Sequence, residues 1–162
     1  MRNIDHLIIH CSATKADQNI TASDIDRWHR AKGWFGNGYH FVITRDGIVQ
    51  SAAKGDRCRA LEQAGAHVGD CGQGWNARSI GICMAGGLDK NGKAENNFTK
   101  AQWDALKTLV SELLGTYPID NIGGHRDLIR KTKAPPKDCP CFDVWAWFKT
   151  ELPELTTDVR PL

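Results

Sequence analysis

Short apolar segments alternate with helical patterns along this chain, and the alternation limits the folds open to it. Four segments have the length and composition of strands: residues 5–11, 38–44, 79–84 and 119–122. A turn at residues 45–47 predicts a hairpin into a further strand at 48–50. Helical patterns cover residues 23–32, 99–115 and a segment starting near Asp143. The order β-α-β-β-β-α-β-α predicts an α/β fold, a single domain with a central mixed β-sheet flanked by helices.

The helix predicted over residues 99–115 has a complete set of start signals. Thr99 has the side chain of an N-cap, and Gln102 completes a capping box with it. Phe98, just before the cap, is placed to pack against Trp103. We expect the apolar stripe of this helix to lie in the core of the domain.

The length of the chain sets the expected domain organisation. A chain of 162 residues is typical of one domain with a sizeable core, and no internal repeat or linker interrupts it. We predict that the domain spans residues 1–155. Beyond Pro153, residues 156–162 are predicted to form a flexible C-terminal tail.

Charge and hydropathy exclude several classes of partner. The net charge is only +2 and no run of like charges stands out, so we expect no nucleic-acid partner. No apolar run approaches the ~20 residues needed to cross a membrane, and Asp5 stands where a signal peptide would be apolar. We therefore expect a monomer that is made in a cytoplasm and has no contact with a membrane.

The cysteines point to free thiols and a metal ligand. There are six of them, at positions 11, 58, 71, 83, 139 and 141. Without a secretion signal, reduced thiols are expected. Cys58 and Cys71 flank a glycine-rich segment, and a disulfide between this pair remains open.

A candidate metal site is suggested by His125 and Cys139. Cys139 follows His125 by fourteen positions, in a segment stiffened by Pro135, Pro136 and Pro140. Imidazole and thiolate are ligands that zinc prefers, and a catalytic zinc has three protein ligands with one position open. His10, at the end of an apolar strand, is the best third ligand. The alternative is that these residues are packed core side chains without a metal.

Ordered motifs along nearly the whole chain, from about Asp5 to Phe148, match a known family. They lie at residues 9–14, 28–29, 38–41, 45–47, 66–67, 76 with 79–82, 124–125 and 137–140. In these motifs the chain resembles the zinc-dependent N-acetylmuramoyl-L-alanine amidases of type 2, whose fold is shared by the peptidoglycan recognition proteins. Within that family it is most similar to the short phage lysozymes of amidase type.

The resemblance implies a role for each matching residue. It assigns His10, His125 and Cys139 as ligands of Zn²⁺, with Cys141 as the alternative thiol. Tyr39 and Lys137 become the catalytic side chains that assist a zinc-activated water. His67, Thr14 and Asn76 are predicted to contact the substrate, although His67 taken alone is equally well explained as a loop histidine without a role.

The implied activity is that of an endolysin. Such an enzyme cleaves the amide between N-acetylmuramic acid and the L-alanine of the stem peptide in bacterial peptidoglycan. It would wait in the host bacterial cytoplasm and act on the cell wall after the membrane is permeabilised. Two alternatives are a non-catalytic peptidoglycan-binding module and an amidase that also binds and inhibits a phage RNA polymerase.

Two departures from the family pattern matter. The segment between His125 and Cys139 is longer than in the shortest phage members, so its path past the metal is open. In a related bacterial branch, a catalytic Glu follows the motif at residues 79–82. Here Cys83 holds that place, so we assign no general base there.

Overall fold

The computed structural model describes residues 1–72 and 74–162. The strands are β1 (His6–Cys11), β2 (Thr14–Lys15), β3 (Phe41–Ile43), β4 (Val49–Ser51), β5 (Ser79–Met84), β6 (Gly87–Leu88), β7 (Asn121–Gly124) and β8 (Arg160–Pro161). The α-helices are α1 (Ala22–Ala31), α2 (Lys100–Thr116), α3 (His125–Ile129) and α4 (Val144–Glu151). Short 3-10 helices occupy Ala52–Lys54, Gly69–Cys71 and Pro153–Leu155.

The main sheet has the strand order β4-β3-β5-β1-β7-β8. Only the β3–β4 hairpin is antiparallel among these described pairs, and the other neighbours run parallel. The two-residue strands β2 and β6 form a small separate pair. The prediction of a mixed central sheet flanked by helices is confirmed.

The position of β1 explains where a site can form. This strand comes first in the chain but lies inside the sheet, with β5 on one side and β7 on the other. After β1 the chain crosses to β3 on one side, whereas after the neighbouring β5 it crosses to β7 on the other side. Such a switch point leaves a crevice at the carboxyl ends of the strands, where open α/β sheets bind their ligands.

Helices cover both faces of the sheet. Side chains alternate along β1, so Leu7 and Ile9 face one way while Ile8 and His10 face the other. The first face belongs to the largest apolar cluster, which includes fully buried Leu106 of α2 and Phe148 of α4. The second face is covered by α1 and α3 and carries two smaller clusters. His10 is therefore held in the layer between the sheet and the short helix α3.

The start signals of α2 act as predicted. The Thr99 hydroxyl accepts a hydrogen bond from the Gln102 amide at 3.1 Å, and the Gln102 side chain accepts one from the Thr99 amide at 3.0 Å. The rings of Phe98 and Trp103 meet edge to face with centroids 5.6 Å apart. The capping box and the apolar staple are both confirmed.

The C-terminal residues differ from their prediction. Residues 156–162 were expected to be a flexible tail, but Arg160 and Pro161 pair with β7 as an edge strand. Val159 is buried in the main core, and the Leu162 amide donates to the Ile122 carbonyl at 3.1 Å. Because β7 would otherwise expose an unpaired edge, the segment gains backbone hydrogen bonds by lying along it. The structure thus has an edge strand within the segment that was predicted to be a flexible tail.

Two further expectations concerned a disulfide between Cys58 and Cys71 and a membrane-spanning segment. All six cysteines are free in the described part of the chain, including Cys58 and Cys71. Within the same residues, no helix is both long and apolar enough to span a membrane.

Candidate metal centre and cleft

Three side chains of types that bind metals meet at the carboxyl end of β1. His10 lies near the end of that strand, His125 is the first residue of α3, and Cys139 lies in the loop that follows. Their donor atoms all lie within 4.8 Å of one another. Both histidines are buried, and Cys139 is half-buried. The structure thus brings together the three residues that the sequence proposed as ligands.

The backbone around β7 explains this convergence. In the parallel pairing Ile9 lies opposite Gly124, so the residues that follow, His10 and His125, emerge side by side. The Asp127 carboxylate accepts a hydrogen bond from the Gly124 amide at 2.7 Å and caps the first turn of α3. The Arg126 amide donates to the Cys139 carbonyl at 2.8 Å, which ties the thiol-bearing loop to the same turn.

The donor set fits zinc. His10 Nδ1 lies 3.8 Å from Cys139 Sγ, close to the ~3.6 Å expected between nitrogen and sulfur on one tetrahedral zinc. The Cys11 amide donates to Cys139 Sγ at 3.3 Å, a contact that helps to orient the sulfur. Burial lowers the pKa of His10 well below its ordinary value and also lowers that of His125. Both imidazoles are therefore neutral at neutral pH, as a metal ligand must be.

A chain of hydrogen bonds orients His10. Its Nε2 lies 2.8 Å from His67 Nδ1, and His67 Nε2 lies 3.2 Å from the Ser79 hydroxyl. That hydroxyl donates to the Trp75 carbonyl at 2.7 Å, so its oxygen is free to accept from His67. His67 therefore donates to Ser79 and carries its proton on Nε2, which leaves its Nδ1 as an acceptor. His10 donates to that Nδ1, so His10 also carries its proton on Nε2. The lone pair of His10 is left on Nδ1, which faces Cys139.

His125 has a different outer partner. Its Nε2 lies 2.8 Å from Asp70 Oδ1, which leaves Nδ1 as the nitrogen available to a metal. The second oxygen of Asp70 lies 2.5 Å from the ammonium nitrogen of Lys137. Burial alone would raise the pKa of Asp70, but hydrogen bonds from Lys137 and His125 outweigh it and lower that pKa to about 2. Asp70 is therefore ionised at neutral pH.

A cleft of about 770 Å³ opens over these groups. Its lining includes two of the candidate ligands, His125 and Cys139, together with Tyr39, Lys137 and the exposed Trp34, whereas His10 is buried beneath it. The Tyr39 ring lies 5.0 Å from the His10 ring between centroids. Burial raises the pKa of Tyr39 well above its ordinary value, so its hydroxyl is protonated and able to donate at neutral pH. Both side chains predicted to be catalytic thus border the same cleft as His125 and Cys139.

The three residues predicted to contact substrate lie in different surroundings. His67 lines the cleft, although both of its ring nitrogens are engaged within the protein. Asn76 also lines the cleft, and its Oδ1 accepts hydrogen bonds from the backbone amides of His67 and Val68 at 3.0 Å each. Thr14 lies in β2 with its hydroxyl 2.6 Å from that of Ser12, and Ser12 rather than Thr14 is among the cleft-lining residues.

The other thiols near the site point elsewhere. Cys141 Sγ lies 3.8 Å from Cys11 Sγ and packs against the main core, so Cys139 is the thiol that meets the histidines. Cys83 is fully buried in β5, and burial raises its thiol pKa well above the ordinary value. A protonated, buried thiol is not a general base, which agrees with leaving that role unassigned.

Three important side chains were missed by the sequence reasoning. Asp70 and Ser79 are the outer partners just described, and Trp34 is an exposed aromatic at the rim of the cleft. Asp70 lies in a loop that carries no periodic pattern, so nothing in its neighbours marks it. The signal for Ser79 was available, because a hydroxyl that opens a buried strand must find a hydrogen-bonding partner.

Solved structures share this fold. The N-acetylmuramoyl-L-alanine amidase LysC from Clostridium intestinale URNW aligns with a TM-score of 0.71 at 27% identity, covering 94% of this chain and 87% of that chain. Drosophila PGRP-LB aligns with a TM-score of 0.65 at 23% identity, covering 93% and 82%, respectively. The fold is that of the amidases and peptidoglycan recognition proteins.

Sequence comparison makes the assignment more specific. Residues 1–141 match the N-acetylmuramoyl-L-alanine amidase family. The endolysin of Enterobacteria phage K11 is 41% identical over 152 residues, which span 94% of this chain and 89% of that protein. The chain belongs to the N-acetylmuramoyl-L-alanine amidase family, and it is an enzyme with that amidase activity.

Proposed function

We propose that this amidase is a zinc-dependent endolysin. It hydrolyses the amide between N-acetylmuramic acid and the L-alanine of the stem peptide in bacterial peptidoglycan. Two observations carry the proposal. His10, His125 and Cys139 meet, and the last two of these line one cleft with Tyr39 and Lys137. The name endolysin, carried by phage relatives at about 40% identity, supports the biological setting.

The chemistry divides between the metal and the protein. Zinc held by His10, His125 and Cys139 would supply a Lewis acid that polarises the amide carbonyl and lowers the pKa of water. The protein keeps the two imidazoles neutral by burial, and His67 accepts a hydrogen bond from Nε2 of His10. The three ligands come from two strand ends and a loop, which backbone hydrogen bonds tie together.

Tyr39 and Lys137 contribute hydrogen-bond donors. As the carbonyl carbon becomes tetrahedral, negative charge develops on its oxygen, and a preorganised cation or hydroxyl stabilises that charge. The Lys137 ammonium has three N–H donors, so one pairs with Asp70 while others remain for substrate. When the C–N bond breaks, the nitrogen of L-alanine leaves as a free amine and the lactyl group becomes a carboxylate.

The proposed setting follows from the substrate. We infer that the enzyme accumulates in the host cytoplasm and reaches the cell wall once a separate factor permeabilises the membrane. Cell fractionation of the host before lysis tests this inference. We expect the protein in the cytoplasmic fraction, and secretion into the medium before permeabilisation would contradict it.

The catalytic proposal is tested with purified cell walls and metal analysis. The enzyme should release free L-alanine amino groups without releasing reducing sugar ends, because the amide and not the glycan is cut. Cys139→Ala should lose both metal and activity. Lys137→Ala should keep the metal and lose roughly 10²–10³-fold in kcat, the usual cost of removing one donor to an oxyanion.

Two controls sharpen this test. Cys141→Ala should keep metal and activity, since its thiol faces Cys11. Lys133→Ala removes an exposed lysine from the same loop and should also behave as wild type. Retained zinc in Cys139→Ala with loss in Cys141→Ala would reverse the ligand assignment. Tight muropeptide binding by a zinc-loaded wild type that releases no amino groups would instead favour a binding module.

A further inference from the structure

Asp70 contacts two functional side chains at once. One carboxylate oxygen lies 2.8 Å from His125 Nε2, and the other lies 2.5 Å from the Lys137 ammonium nitrogen. His125 is a candidate metal ligand and Lys137 a candidate catalytic residue. A single carboxylate therefore joins the metal site to the cation beside it.

The backbone of Asp70 is held against the helix that carries His125. Asp70 lies in the 3-10 turn Gly69–Cys71, where the Cys71 amide donates to the Val68 carbonyl at 3.0 Å. Val68 and Cys71 are buried in one apolar cluster with Leu128 and Ile129 of α3. The carboxylate thus projects from a turn that packs against α3.

The contact with His125 determines which nitrogen can bind a metal. An imidazole that ligates through Nδ1 must carry its proton on Nε2, and an acceptor at Nε2 stabilises that tautomer and the ring orientation. Asp70 Oδ1 is such an acceptor. His67 plays the matching part for His10, so each histidine has one outer partner.

The contact with Lys137 restricts a mobile group. The lysine side chain is 49% exposed, and a four-carbon stem has many rotamers in water. Pairing with Asp70 holds the ammonium on the His125 side of the cleft. It also provides a local counter-charge, so the cation can stand near a bound metal ion at a lower electrostatic cost.

A second metal site is the competing interpretation. Donor atoms of Asp70, Cys71 and His125 also lie within 4.8 Å of one another. However, the Lys137 ammonium already pairs with Asp70, and it would repel a second cation there. The geometry favours an orienting role.

We propose that Asp70 is a positioning residue that fixes the metal-binding tautomer of His125 and anchors the Lys137 ammonium beside it. The proposal rests on the proposed function of the site. Because the two contacts use different oxygens, they can be separated by substitution. Asp70→Ala removes both, whereas Asp70→Asn keeps a neutral oxygen for His125 and loses the charge that holds Lys137.

Zinc affinity and steady-state kinetics are measured separately on each variant. Apo proteins are titrated with zinc against a chromophoric chelator, and kcat and KM are determined on muropeptides with the zinc-loaded proteins. We expect Asp70→Ala to lose about 10–100-fold in zinc affinity, the usual effect of removing a ligand's outer partner. Asp70→Asn should stay within about threefold of wild type in zinc affinity while losing about tenfold or more in kcat, with little change in KM.

A matched control separates charge loss in general from loss at this position. Asp104→Asn removes an exposed carboxylate that pairs with Lys100 at 2.7 Å on α2, and it should match wild type in both measurements. Lys137→Ala combined with Asp70→Asn should be little worse in kcat than Lys137→Ala alone, because both changes remove one interaction. Thermal melts of each apo variant establish that the variants are folded.

The possible outcomes distinguish the two proposals. If wild type binds zinc and cuts muropeptides while Asp70→Ala matches it in zinc affinity and kcat, the positioning role is refuted and the amidase proposal stands. If wild type binds no zinc, the proposed metal site itself fails. A second equivalent of zinc that binds wild type but not Asp70→Ala would support the second metal site instead.

Discussion

Replacing Gly81 with alanine should test how closely the metal site depends on the sheet beneath it. Gly81 lies in the middle of β5, under the ring of His67. A Cβ built at this position would lie 2.7 Å from His67 Cγ and 2.8 Å from Cδ2 and Nδ1. Carbon atoms pack at about 3.5 Å or more, so the ring must retreat by about 0.8 Å. Gly81→Ala should therefore misalign the 2.8 Å contact between His67 Nδ1 and His10 Nε2.

The expected cost has two parts. Forcing an extra methyl into a packed layer costs about 1–3 kcal/mol, and leaving the buried His10 N–H without its acceptor costs about 1–3 kcal/mol more. We expect the free energy of unfolding to fall by about 2–6 kcal/mol in the apo protein. Zinc affinity should fall by about 10–100-fold, because the outer partner of a ligand has moved.

Urea denaturation of the apo protein and chelator competition for zinc measure these two effects. Gly115→Ala is the matched control, since no atom lies within 4 Å of the Cβ it would add in α2. That change should stabilise the protein by about 0.5–1 kcal/mol, because alanine favours the helix over glycine. If Gly81→Ala unfolds at the wild-type urea concentration and keeps zinc affinity within twofold, the proposed coupling between β5 and the site is refuted.

Three further predictions concern the fold. Burial lowers the pKa of His40 to about 4, so the unfolded chain binds the proton before the folded protein does as pH falls. The stability that neutral His40 contributes, of the order of 3 kcal/mol, should be complete above pH 6.5 and lost between pH 6.5 and 4. Apo His40→Gln should show a shallower fall in urea midpoint over that window, and an unchanged slope would contradict the assignment. Thr99→Ala removes both the N-cap of α2 and a 2.7 Å hydrogen bond to the Arg45 carbonyl, and should lower the urea-derived stability by about 1–2 kcal/mol. Leu106→Ala opens a cavity at a fully buried position and should cost about 2–5 kcal/mol by the same measurement, whereas a loss below 1 kcal/mol would mean that the core collapses around it.

Local patterns were sufficient to predict the main elements of the fold. β5 was predicted over residues 79–84, where the structure has it, because an apolar run between turn residues has few alternatives. The cap of α2 was equally predictable, because Thr99 and Gln102 act within one turn. The short elements were missed. β8 and α3 depend on contacts with β7, and such tertiary contacts leave no periodic trace in a segment of two to five residues.

The candidate site divides in the same way. His10 and His125 were predicted because each follows a strand signal, and Cys139 because prolines surround it in the sequence. Their outer partners were not predicted as such. His67 was expected to contact substrate, whereas the structure engages both of its ring nitrogens inside the protein. Asp70 becomes visible only once its turn packs on α3, since its two partners lie more than fifty residues away in the chain.

The segment between Ala66 and Ser79 borders the cleft and also supports both candidate histidine ligands, through His67 and Asp70. Grafting a relative's version of this stretch, in an effort to redirect the enzyme toward another bacterial host, would alter the affinity for the proposed zinc ion as well as the shape of the cleft above it. Loop exchange in this scaffold should therefore preserve those two positions and vary the remainder.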